Sequence, residues 1–191
     1  MPTDWPSQLS FALSSSQKLW YRHLAKRAAV SVILRDGVDG IELLMIQRAA
    51  FEGDRWSGQM AFPGGKQDPC DKTIQAAAER ELLEELSICA ENFQCLGRLA
   101  DVNARSHNKR QPGMVISPFV YYANSPFEWI KNHEVAGVYW IPLALFSHEN
   151  RDALSVYGRD LPCYYFNDKC IWGLSLIMID GLVKQFSGLD H

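Results

Sequence analysis

Residues 64–88 read GGKQDPCDKTIQAAAERELLEELSI, and the last eleven of these, AERELLEELSI, hold four glutamates against a single cation, Arg80. Read as a helix, the stretch places Ala78, Leu82 and Leu86 on one apolar row that can face a sheet. Glu81, Glu84 and Glu85 then lie at i, i+3 and i+4 on the adjoining stripe, where like charges repel by roughly 0.2–0.5 kcal/mol per pair. Arg80 can pair with Glu84 four residues on, which offsets one charge and leaves the others unneutralised. A solvated acidic face is the ordinary explanation of a Glu-rich helix. Two features count against it here. The glutamates adjoin the apolar row instead of opposing it, and no lysine follows any of them at i+4. A divalent cation relieves such crowding, because hard oxygen ligands on a rigid backbone suit Mg2+ or Mn2+. The preceding Phe62-Pro63-Gly64-Gly65 predicts a tight turn whose glycines let backbone approach the same ion or a phosphate. The helix is expected to begin between Asp68 and Thr73, with Asp68 or Asp71 as its N-cap and Pro69 in its first turn.

Outward from this helix, residues 28–48, AAVSVILRDGVDGIELLMIQR, read as two aliphatic strands around a Gly- and Asp-rich turn, hence a hairpin. GQMAF (58–62) predicts a short strand ending at Pro63. Further strands are expected at Phe93–Leu99, Met114–Tyr122 and Gly137–Ile141, and near Cys163–Phe166. Residues 17–27, QKLWYRHLAKR, have Leu19, Trp20, His23 and Leu24 near helical spacing. Ile171 to Phe186 is apolar on most sides and reads as a helix buried against a sheet. Strands and helices interleave without a regular βαβ rhythm, so the expected fold class is α/β, a mixed sheet sandwiched between helices.

The chain has 191 residues, 47% of them hydrophobic, and a net charge of −3, values that fit one soluble domain with a substantial core. A pI near 5.9 argues against a broad nucleic-acid footprint. The five cysteines are odd in number and lack C-x-x-C spacing, so free thiols in a reducing cytoplasm are expected rather than zinc or a disulfide framework. Residues 1–16 lack the basic and apolar segments of a signal peptide, and the most apolar run, CIWGLSLIMIDGL, is too short to span a bilayer and carries Asp180. A cytoplasmic protein that engages neither membrane nor nucleic acid is expected. Trp140 and Trp172 sit in apolar runs and are expected in the core. Trp56 suits either stacking on a base or covering a loop. His133, His148 and His191 lack metal-ligand spacing and are expected at the surface.

The stretch from Gly64 to Ile88 resembles the Nudix box, G-x5-E-x7-R-E-U-x-E-E-x-G-U with U aliphatic. Gly65 matches the box glycine, Arg80–Glu81 the central pair, Leu82 the aliphatic position, Glu84–Glu85 the second acidic pair and Ile88 the last aliphatic. Asp71 stands for the first glutamate, one extra residue separates it from Arg80, and Ser87 replaces the final glycine. The first two departures occur together in the coenzyme A pyrophosphatase branch, which this chain resembles. Residues 43–65, LLMIQRAAFEGDRWSGQMAFPGG, look like the segment preceding the box in that branch, with Arg48, Gly58, Phe62, Pro63, Gly64 and Gly65 matching. Arg55 matches the segment's second arginine only approximately, and the interval from Arg48 to Gly58 is longer than in the better-known members. NHEVAGVYWIPL (132–143) resembles the segment that carries an additional acidic residue, here Glu134, and CIWGLSLIMIDGL (170–182) looks like the closing helix. The likeness covers residues 28 to 186 and implies a Nudix hydrolase domain over 28–191 behind an N-terminal helical extension over 1–27.

The resemblance implies Mg2+- or Mn2+-dependent hydrolysis of a P–O–P bond in a nucleoside diphosphate linked to another group. It assigns Glu81 and Glu85 as principal metal ligands, Glu84 as ligand to another ion, Gly64 backbone as completing the site, and Arg80 as orienting the glutamates. Glu134 is the first candidate for general base and a box glutamate, Glu84, the second. Arg48, Arg55, Gly58, Phe62 and Gly65 are the substrate-binding candidates, and the polar segment Asn103–Gly113, with Arg105, His107, Lys109 and Arg110, offers contacts to a further phosphate. The implied substrate is coenzyme A or acyl-coenzyme A, giving (acyl)phosphopantetheine and adenosine 3′,5′-bisphosphate, with ADP-ribose or NADH as the alternative. A non-catalytic nucleotide-sensing module fits less well, since such modules commonly lose box glutamates and all three are kept. Related enzymes often dimerise, which leaves a homodimer open.

Overall fold

The computed structural model describes residues 4–14, 19, 25–53, 56–104, 113–156 and 158–189. Its centre is strand β1 (Lys26–Gly37), which runs parallel to β7 (Met114–Tyr122) along one edge. On its other edge β1 pairs antiparallel first with β4 (Gly64–Lys66) and then, from Leu34 onward, with β2 (Gly40–Arg48). The expected hairpin forms with Val38 and Asp39 as its two-residue loop; the closing Gly40 has a φ of 128°. β2 continues the sheet to β3 (Met60–Ala61) and β8 (Val135–Pro142), while β5 (Gln94–Arg98) and β6 (Val102–Ala104) pair with β7. All six strands foreseen in this sheet are therefore present. The short β4 and β6 were not legible as strands.

Side chains alternate across β1, and that alternation sorts the helices. Ala29 and Ile33 face one side with Leu44 and Ile46 of β2, where they meet helix α2 (Ile74–Leu86) through Ala77, Ala78, Leu82 and Leu86. Ala28, Val32 and Leu34 face the other side, where they meet α1 (Trp5–Leu13) and α3 (Gly173–Ser187). A strand covered on both faces must be apolar at nearly every position, which accounts for the run AAVSVIL. The architecture is the expected mixed sheet between helical layers.

Several boundaries differ from the expectation. The N-cap of α2 is Thr73, whose hydroxyl accepts the N–H of Ala76 at 3.0 Å, and not Asp68 or Asp71. Asp71 is taken by Arg80, so it is unavailable as a cap. Ile171 and Trp172 are not helical; they close strand β11 (Lys169–Trp172) against β10 (Arg159–Phe166), which with β9 (Asp152–Val156) makes a separate three-stranded sheet. An apolar run crosses the strand–helix junction without a change in hydrophobicity, and Gly173, at a φ of 65°, marks the turn. The helix expected over 17–27 falls largely outside the described residues, and its last two, Lys26 and Arg27, begin β1. The helix that forms near the N-terminus is α1, with Trp5, Leu9 and Leu13 buried at i, i+4 and i+8. Trp140 and Trp172 are half-buried rather than core, and the Arg35 guanidinium lies 3.9 Å from the centroid of the Trp140 ring. No helix among the described residues is long and apolar enough to cross a membrane. All five cysteines are free thiols.

Ser87 ends α2 in the left-handed region, at φ 57° and ψ 29°, with its N–H on the Leu83 carbonyl. A serine Cβ is strained there and a glycine is not. Ser87→Gly is expected to raise the melting temperature by about 1–3 °C, measured by calorimetry on the full chain.

Candidate active site

The turn at Pro63–Gly65 is fixed by β1. The Ser31 N–H donates to the Pro63 carbonyl at 2.8 Å, and Gly64 and Gly65 pair with Val30 and Ala29. Gly64 sits at a φ of 151°, where a Cβ would run into the β1 backbone at Val30. A Cβ on Gly65 would overlap the Glu81 carboxylate. Both glycines are thus needed for α2 to bring its acidic stripe against main chain. The Ser31 hydroxyl donates to the Ala78 carbonyl at 3.2 Å, inside the contact between α2 and β1.

Glu85 is the centre of the cluster. It is only 2% exposed, and the Gly64 N–H donates to its carboxylate at 3.0 Å. Burial pushes its pKa up to about 8, and the negative charge of Glu81 adds to the rise; the Gly64 N–H and the Arg48 guanidinium pull the other way. Glu81 is raised as well, by burial first and then by the charges of Glu84 and Glu134 acting against the Arg80 pairing. Arg80 is the hub beside them. Its Nη1 donates to Glu81 and to Glu84, both at 3.0 Å, its Nε to Asp71 at 3.1 Å, and its Nη2 to the Lys66 carbonyl at 3.0 Å. The expected Glu84 pair is present, and Glu81 is paired too, which the helical spacing alone had left unneutralised. These contacts hold the guanidinium firmly protonated and hold the Asp71 carboxyl below the usual range.

Glu134 reaches the cluster from the loop before β8. After α2, two of its C-terminal carbonyls accept loop amides, Ile130 N–H on Leu86 and Asn132 N–H on Glu85, each at 2.9 Å. The Asn132 side chain then accepts the Glu134 N–H at 2.8 Å, and the Glu134 carbonyl accepts the Ala49 N–H at 2.7 Å. This places the exposed Glu134 carboxylate where its charge acts on both Glu81 and Glu85. Arg48, at the end of β2, bears on Glu85 from the same side.

Two other predicted positions, Phe62 and Gly58, lie apart from the cluster. Phe62 is 3% exposed and packs in the core on the α1 and α3 side. Gly58 is in an exposed turn at a φ of 71°, its carbonyl accepting Gln47 Nε2 at 3.4 Å. Arg55 lies outside the described residues, as do Arg105, His107, Lys109 and Arg110. Asn132 and the Lys66 carbonyl, both of which position the site, had no sequence signal beyond an Asn two residues before Glu134, an Asx-turn spacing.

The donors present are hard oxygens, the carboxylates of Glu81, Glu84 and Glu85, held at a backbone cradle that a Cβ would fill, and in chemistry they fit Mg2+ or Mn2+. Among the described residues no three carboxylate, histidine or cysteine side chains converge as a ready-made cation site. Arg80 engages one oxygen each of Glu81 and Glu84, and the Gly64 N–H engages one oxygen of Glu85, so each carboxylate keeps acceptor capacity beyond these bonds.

The sequence model described as NUDIX domain matches residues 25–157. The chain is 35% identical over 149 residues to "Uncharacterized Nudix hydrolase NudL" of Yersinia pestis (strain Pestoides F), covering 75% of this chain and 72% of that protein. In fold it is similar to a MutT/nudix family protein from Enterococcus faecalis, with a TM-score of 0.59 and 17% identity over 98% of this chain and 76% of that one. It is also similar to an Ap4A hydrolase of C. elegans in a binary complex, with a TM-score of 0.53 and 23% identity over 63% of this chain and 82% of that one.

The Glu85 shift sets a pH dependence. A carboxyl whose folded-state pKa is raised from an ordinary 4.5 to about 8 stabilises the fold fully below about pH 4.5 and loses that contribution as the pH rises towards 8. In metal-free buffer Glu85→Gln keeps an acceptor for Gly64 and removes the charge. The variant is expected to melt higher than the native protein at pH 8, with the difference closing by pH 5. Added Mg2+ at pH 8 should raise the native melting temperature and leave that of the variant unchanged. Thermal melts at the two pH values check both statements.

Proposed function

The chain belongs to the Nudix family, and on that premise we propose that this Nudix hydrolase cleaves the P–O–P bond of coenzyme A or an acyl-coenzyme A, with Mg2+ or Mn2+ as cofactor. The products are (acyl)phosphopantetheine and adenosine 3′,5′-bisphosphate. The observation that carries the reading is the junction of two motifs. The segment from Arg48 to Gly65, which resembles the one before the box in coenzyme A pyrophosphatases, delivers its Gly64 N–H to the buried Glu85, the last acidic position of the box. The similarity to NudL supports the same hydrolase class.

Glu81 and Glu85 would hold the cation, with Glu84 and the Gly64 carbonyl available to it. Once bound, a divalent cation polarises phosphoryl oxygens and neutralises the diphosphate that the glutamates would otherwise repel. Arg80 keeps the carboxylates aligned before substrate arrives, since one guanidinium contacts Glu81, Glu84 and Asp71 together. Arg48 supplies positive charge for a substrate phosphate on the Glu85 side. Glu134, exposed and tethered through Asn132 and Ala49, takes the proton from the attacking water.

Incubation with Mg2+ and a panel of coenzyme A, acetyl-coenzyme A, ADP-ribose and NADH, with products identified by mass, tests the substrate. Phosphopantetheine and adenosine 3′,5′-bisphosphate are expected. Cleavage of ADP-ribose or NADH with coenzyme A untouched would assign the enzyme to another nucleoside diphosphate derivative, in keeping with the long interval between Arg48 and Gly58. Glu134→Gln is expected to lower kcat by about 10²- to 10⁴-fold with KM little changed. Near-native turnover would move the proton-accepting role to a box glutamate.

A further inference from the structure

Two rings beside Glu134 belong to neither of the two core clusters. Phe51 is 44% exposed, and His133, itself exposed, lies with its ring centroid 6.2 Å from that of Phe51 at an interplanar angle of 80°. An edge-to-face pair leaves at least one ring face open to a third ring. The pair bridges two loops that already meet at the site, because the Ala49 N–H on the Glu134 carbonyl joins the end of β2 to the start of β8. The backbone around Phe51 is clamped. Its N–H donates to the Ser57 hydroxyl at 2.7 Å, and that hydroxyl donates back to the Phe51 carbonyl at 3.2 Å. An exposed phenyl ring on a hydrogen-bonded loop, in contact with the residue that precedes Glu134, is suited to recognition rather than to packing.

We propose that Phe51, braced by its edge-to-face contact with His133, is the platform on which the nucleobase of the substrate stacks while its diphosphate lies at Glu81 and Glu85. This deepens the hydrolase reading above and rests on it for the position of the diphosphate. The chemistry needed is a flat heteroaromatic ring, which any purine supplies, so the platform sets a preference for nucleoside over non-nucleoside diphosphates without reading hydrogen-bond edges. His133 and Phe51 act on binding, and bond cleavage is left to the acidic cluster and Glu134.

Two measurements separate this inference from the hydrolase reading. In metal-free buffer, saturation-transfer NMR with adenosine, which carries no phosphate, is expected to show transfer to the adenine protons from the native protein and from Phe51→Tyr. Transfer should fall several-fold in Phe51→Leu and His133→Ala. On the panel member that is cleaved, Phe51→Leu should raise KM by about tenfold or more with kcat nearly unchanged, and Phe51→Tyr should restore it. Absence of transfer to adenosine from the native protein, or a Phe51→Leu variant with native transfer and native KM, overturns the platform. If no panel member is cleaved, the hydrolase reading fails while the adenosine arm still decides for or against the platform.

Discussion

A buried carboxylate held by one backbone N–H organises this molecule. For the Gly64 amide to reach Glu85, β4 must lie against β1 where only glycine fits, and α2 must pack on the sheet through Ala78, Leu82 and Leu86, each fully buried. The two requirements support one another, since the same apolar row that docks the helix carries its acidic stripe into the low-dielectric edge of the core. The cost is electrostatic. A carboxylate with its ionisation displaced to about pH 8 opposes the fold at neutral pH, and roughly 1.4 kcal/mol accompanies each tenfold change in its protonation equilibrium. Leucine burial of about 1.5–3 kcal/mol per side chain at positions 82 and 86 offsets such a penalty. The helix therefore holds together because it is apolar on one side, and it carries its carboxylates on the next.

Arg80 shows how a chain manages charge that awaits a counterion. One guanidinium, planar and always protonated, spans three carboxylates and a carbonyl, which no lysine could do with the same geometry. The pairing keeps Glu81 and Glu84 from repelling the helix apart, and the buried Glu85 is left to the Gly64 N–H and the more distant charge of Arg48.

The acidic helix, the hairpin and the main strands were legible in the sequence because their periodicities are strong and local. β1 and β7 read as strands from aliphatic content alone, and α2 read as a helix from the spacing of Ala78, Leu82 and Leu86. What was not legible depended on distant partners. Asp71 looks like a helix cap from its neighbours and becomes a partner of Arg80 only when the helix returns past it. Ile171 and Trp172 look helical beside the apolar residues that follow, and only pairing with Cys163 and Tyr164 makes them a strand. Trp140 looks like core and is held at the half-buried edge by Arg35. Within the site, the glutamates and Arg80 announce themselves by type and spacing, whereas Asn132 and the Lys66 carbonyl contribute by position, which residue identity does not encode.

The parallel pairing of β1 with β7 carries a consequence for biosynthesis. β1 is apolar on both faces, but the strand that covers its far edge is made only after five intervening strands and α2. Until then the nascent chain can close the hairpin with β2 but must leave the other edge of β1 without its ladder, a template for unwanted association. Long-range closure of this kind slows folding. The growing chain of this enzyme should accordingly lean on chaperone shielding until residues 114–122 clear the exit tunnel.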